Sequence, residues 1–73
     1  MDKEGFGRRL AASVALRGET YASIEKAVGV SRSTLWRYTS GREGEVSLQK
    51  VAAVAQHLEV SLDYLVYGNG SIQ

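Results

Sequence analysis

Apolar residues recur along this chain at intervals of three and four, and glycine, serine or threonine interrupts each run. Over residues 4–17, "EGFGRRLAASVALR", Phe6, Leu10 and Val14 fall at i, i+4 and i+8 with Ala11 between them, the stripe of an amphipathic helix. Arg8, Arg9 and Ser13 fall off that stripe, and Gly18 is placed to stop the helix. Thr20 can cap a second helix over 21–28, "YASIEKAV", with Ile24 and Val28 one turn apart. Gly29 ends it, Val30 puts an apolar side chain inside the turn, and Ser31 can cap a third helix over 32–38. In that helix Leu35 and Tyr38 face inward. "TSGREGEV" has no periodicity and reads as a loop. Ser47 then caps "LQKVAAVAQHL", where Leu48, Val51, Val54 or Ala55, and Leu58 repeat at helical spacing. Ser61 caps "LDYLVY", Gly68 stops it, and the tail "NGSIQ" is expected to fray.

Helices this short are unstable in isolation and must share a core. The pattern therefore predicts an all-α fold, a compact five-helix bundle in one domain spanning 1–73 with an ordered core of about 4–68. Composition agrees, since proline is absent from the 73 residues and would break such elements. Cysteine is absent too, which removes disulfides and thiolate metal sites. No stretch approaches the roughly 20 apolar residues of a membrane span, and no signal-peptide pattern opens the chain. A soluble, cytoplasmic protein is expected.

A net charge of +1 says little by itself, but its distribution says more. From Ser31 to Arg42 there are three arginines and no acid. Helices two and three are joined only by Gly29, Val30 and Ser31, and a glycine-containing turn of that length brings two helices together steeply, as a helix-turn-helix does. On the third helix Arg32 and Trp36 form one i, i+4 row, and Ser33 and Arg37 a parallel one, away from Leu35 and Tyr38. Such a face fits the major groove, where arginine can grip guanine O6 and N7 and serine can bond to base or phosphate. Backbone N–H groups near Ser31 would favour an adjacent phosphate.

"SIEKAVGVSRSTLWRYTSG" followed by "VSLDYL" resembles the lambda-repressor-like, or Cro/C1-type (XRE), helix-turn-helix domains of phage repressors and bacterial regulators. The resemblance runs from about Phe6 to Gly68. It implies a recognition helix over 32–38, with Arg32, Ser33, Trp36 and Arg37 at the base-facing positions. It also implies phosphate contacts from the start of helix two (Thr20, Tyr21), from Ser31, and from the loop opened by Thr39, Ser40, Gly41 and Arg42. The region of Leu62, Tyr64 and Leu65 resembles the surface on which such repressors self-associate. The partner implied is a double-stranded, two-fold DNA operator bound by a homodimer, with no cofactor, no small-molecule ligand and no membrane.

The chain also departs from the family pattern. Glu25 stands where a small alanine is usual and needs an outlet to solvent or a cation, for which Arg32 and Arg37 are the candidates. Val14 and Thr39 replace a frequent arginine–glutamate pair, Tyr21 replaces a glutamine, and the loop lacks a proline. Trp36 has two readings: packing against Tyr21 or the first helix, or touching a thymine methyl. Arg8, Arg9 and Arg17 read as solvated or peripheral phosphate contacts, Lys26 and Lys50 as surface, and His57 as structural. One histidine, no cysteine and no paired carboxylates leave no catalytic set, so no enzyme is expected. The alternative class is a protein-interaction module, an antitoxin or adaptor, whose docking face would be apolar or of mixed charge rather than free of acids. The pattern suits equally a complete Cro-sized protein and the N-terminal domain of a longer repressor.

Overall fold

In the computed structural model, residues 3–42 and 44–69 are described, so most of the tail expected to fray lies outside the described residues. Five helices follow in order: α1 (Lys3–Leu16), α2 (Tyr21–Val28), α3 (Arg32–Thr39), α4 (Leu48–Leu58) and α5 (Leu62–Tyr67). Thr20, Ser31, Ser47 and Ser61 each accept a backbone N–H of the first turn, from Ser23, Thr34, Lys50 and Tyr64 respectively. At α2 the cap is reciprocal, because Ser23 Oγ accepts the Thr20 N–H in return. Each hydroxyl satisfies a donor that the helix itself cannot, worth about 1 kcal/mol.

The stripes meet in one core. Phe6, Leu10 and Val14 of α1 pack with Ile24, Leu35, Tyr38, Val51, Val54, Ala55, Leu58 and Leu65, and Val30 plugs the α2–α3 corner. α1 lies against α3 and α5, α2 against α3 and α4, and α4 against α5. α3 is thus gripped from behind by two helices, its Leu35 and Tyr38 side chains withdrawn from solvent.

Several positions differ from the sequence-based expectation. Leu48, counted with the α4 stripe, is 69% exposed, because it is the first residue of the helix and lies beyond the edge of the core. Ser13, expected off the stripe, is fully buried; its hydroxyl donates to the Arg9 carbonyl at 2.8 Å, so burial leaves no polar atom unsatisfied. Two arginines expected in solvent turn inward. Arg9 donates to the carbonyls of Leu65 and Val66 at 3.0 and 3.1 Å, and Arg17 to those of Leu58 and Glu59 at 2.8 and 3.4 Å. Cations at the carboxyl ends of α5 and α4 satisfy orphan carbonyls and complement the helix dipole. Arg8 does stay in solvent, paired with Glu4.

α4 ends at Glu59 in the left-handed region, φ 59°, where a Cβ is strained. Glu59→Gly is therefore expected to stabilise the chain by about 0.5–1 kcal/mol, the relief of strain outweighing glycine's greater unfolded freedom. Urea titration of the two proteins checks this, and a loss of stability would contradict it.

Candidate nucleic-acid interface

The turn between α2 and α3 is built by local chemistry. Gly29 adopts φ 79° and donates its N–H back to the Glu25 carbonyl at 2.9 Å, closing α2. Val30 then drops into the core and Ser31 caps α3, so the chain reverses within three residues. A second tie joins the far ends of the motif. Tyr21, the first residue of α2, donates its hydroxyl to Thr39 Oγ1 at 2.8 Å, and Thr39 in turn donates to the Trp36 carbonyl at 3.1 Å. α2 and α3 are thus fixed to one another at the turn and at the open end.

Six residues line one open groove on the outer side of this unit: Tyr21, Arg32, Ser33, Trp36, Arg37 and Arg42. The sequence pointed to all six. Arg32, Ser33 and Trp36 are exposed, whereas Arg37 is half-buried. Trp36 is 51% exposed, and the Arg42 guanidinium lies over its ring, 4.6 Å from the centroid. An exposed stack of this kind is worth about 0.5–1 kcal/mol and orders two otherwise mobile groups.

Arg37, a candidate base contact, also has partners within the chain. Its Nη1 donates to the Glu45 carbonyl at 2.7 Å, and its guanidinium sits 5.0 Å from the Tyr38 ring centroid. A cation bound to this loop carbonyl ties Glu45 to α3, so the Arg37 Nη1 is engaged within the chain at the groove's edge. A Cβ at Gly44 would come within 2.7 Å of that same Nη1.

The α3 face is also not free of acid. Glu25 Oε1 lies 2.8 Å from Arg32 Nε, which answers where the carboxylate at the usual alanine position finds its cation. Among the phosphate candidates, Thr20 and Ser31 spend their oxygens on capping, and Ser31 Oγ also donates to Thr34 Oγ1 at 2.9 Å. Ser40 caps the end of α3 and donates to the Arg37 carbonyl at 3.3 Å, and Gly41 follows with φ 68°. The Tyr21 and Thr39 hydroxyl protons point at protein acceptors rather than outward. Of those candidates Arg42 is an exposed cation at the groove, and Lys26 is exposed on the last turn of α2.

The proposed self-association residues lie elsewhere, on α5. Leu65 is fully buried in this chain's own core, which withdraws it from any seam, while Leu62 and Tyr64 are half-buried. Tyr67, at the end of the same helix, is 70% exposed. Behind α2, Ser23 Oγ donates to Glu19 at 2.6 Å and His57 Nε2 lies 3.3 Å from the same carboxylate. The Ser23 hydroxyl first, and then His57, hold the Glu19 carboxyl below the usual carboxylate range. This places His57 in a structural contact between α4 and the α1–α2 turn.

Among the described residues, no three acidic or histidine side chains gather as a metal site requires, and no helix is long and apolar enough to cross a membrane. A family model described as a helix-turn-helix domain matches residues 6–65, most of the chain. No curated protein and no solved structure matches at a significant level.

Proposed function

We propose, since this chain belongs to the helix-turn-helix domain family, that it is a sequence-specific double-stranded DNA-binding regulator of the phage-repressor (Cro/C1) type, acting in the cytoplasm. The observation that carries this reading is a groove where Arg32, Ser33 and Trp36 are exposed together on a helix whose other side is locked into the core. α3 enters the major groove; Arg32 and Ser33 address base edges and the Trp36 indole a thymine methyl. Arg42, with the backbone N–H groups at the start of α3, takes phosphates and sets the register. Two copies occupy two half-sites about one helical turn apart. Leu62, Tyr64 and the exposed Tyr67 are the α5 side chains offered to the second copy.

One observation favours a second reading. The Glu25–Arg32 pair and the exposed indole make the face mixed in charge and partly apolar, which suits a protein-docking module as well.

Salt dependence separates the two. Titration of a labelled random-sequence duplex is expected to give an affinity that falls linearly in log–log form with salt. Arg42→Ala is expected to reduce that slope by about one. Absence of binding at the lowest salt, or binding indifferent to salt, favours the docking module.

A further inference from the structure

Arg32 and Glu25 are 67% and 38% exposed, and an ion pair so open to water adds little to stability. Its geometry has a different consequence. The carboxylate engages Nε, seven residues away across the turn, rather than the terminal nitrogens. Engaging the Nε–H biases how the guanidinium turns about its long stem and leaves the Nη1–Nη2 edge, which lies onward along the side-chain axis, uncommitted to Glu25. That edge carries the two parallel donors that guanine O6 and N7 accept. A phosphate, by contrast, will take an arginine in many orientations, and phosphates dominate the attraction that an unrestrained cation feels.

We infer that Glu25 is a specificity-determining, positioning residue: it holds Arg32 in the pose that reads a guanine and keeps it off the phosphate backbone, giving up non-specific affinity for discrimination. The inference rests on the DNA-reading function proposed above. The pair partly cancels the Arg32 charge, so the same contact that aims the guanidinium also weakens its pull on any duplex.

The test compares wild type, Glu25→Gln, Arg32→Ala and the double variant on two probes. One is the duplex recovered most often by the wild-type chain from a random pool; the other is a scrambled duplex of the same composition. Glu25→Gln is expected to bind the scrambled duplex more tightly than wild type does. Its preference for the recovered duplex should fall about tenfold, the range expected for one bidentate base contact. In the Arg32→Ala background the same change should leave the preference where it is, because the two residues act as one unit. A purely structural role would weaken both probes alike and lower the melting temperature. Equal weakening of both probes, or an unchanged preference in Glu25→Gln, overturns the inference while the DNA-reading function stands. If wild type itself binds both probes equally, the DNA-reading function fails, and the inference falls with it.

Discussion

Gly7→Ala is expected to destabilise the chain by about 2 kcal/mol, although alanine is the better helix former. A Cβ built at Gly7 would lie 2.7 Å from both the Tyr38 and Thr39 carbonyl oxygens and 3.0 Å from the Thr39 carbonyl carbon. All three are backbone atoms of the last turn of α3, so no side-chain rotation relieves the contact. Relief requires α1 and α3 to move apart, and overpacking a tight contact costs typically 1–3 kcal/mol. With rigid backbone on both sides the upper end of that range applies, offset by a propensity gain of about 1 kcal/mol. The movement would also tilt α3, since α1 is one of the two elements that hold it. Urea titration of Gly7→Ala against wild type measures the loss. Equal or greater stability would mean that α1 and α3 do not approach as closely as described.

Arg9→Ala is expected to cost a similar amount, about 2 kcal/mol, while Arg8→Ala next to it costs almost nothing. Arg9 reaches across 56 residues of sequence to donate to the Leu65 carbonyl, and across 57 to that of Val66. Hydrogen bonds from a charged donor are worth roughly 1.5–3 kcal/mol each, reduced here because water can reach the end of a helix. α5 has only six residues, so a clamp on its last turn is a large part of what holds it. Arg8 has only an exposed contact with Glu4, of the kind that contributes little or nothing measurable. Parallel thermal melts of the two variants decide the point, and amide exchange should show α5 loosening first in Arg9→Ala. Equal melting temperatures would show that the Arg9 contacts carry no stability.

These two residues also mark where the sequence ceases to be legible. Helix starts could be read because their cause is local: a serine or threonine accepts an N–H three residues on, and Thr20, Ser31, Ser47 and Ser61 do so. The core could be read because its period is that of the helix, and Gly29 because a short turn needs a left-handed residue. Contacts made by long side chains to distant backbone leave no such periodic trace. Arg9 and Arg17 look like surface residues on a helical wheel, yet each clamps a helix more than forty positions away. Arg37 shares a row with Ser33 on that wheel, but the following loop curls back and supplies a carbonyl that captures it. Gly7 reads as a weak spot in a helix, and only the crossing of α1 over α3 reveals that a side chain has no room there. The groove itself was legible residue by residue, from the outward face of α3 and the elements that flank it. The orientation of each side chain within it was not, because that depends on Glu25, Glu45 and Thr39 as partners.

The claim on which the rest depends is that the exposed face of α3 reads double-stranded DNA. Selection from a pool of random duplexes by the purified chain, at near-physiological salt, tests it most directly. The expected result is an enriched inverted repeat with half-site centres about 10 base pairs apart, containing guanine at a fixed place in each half. A selected pool no different from the starting one, at any salt, would contradict it.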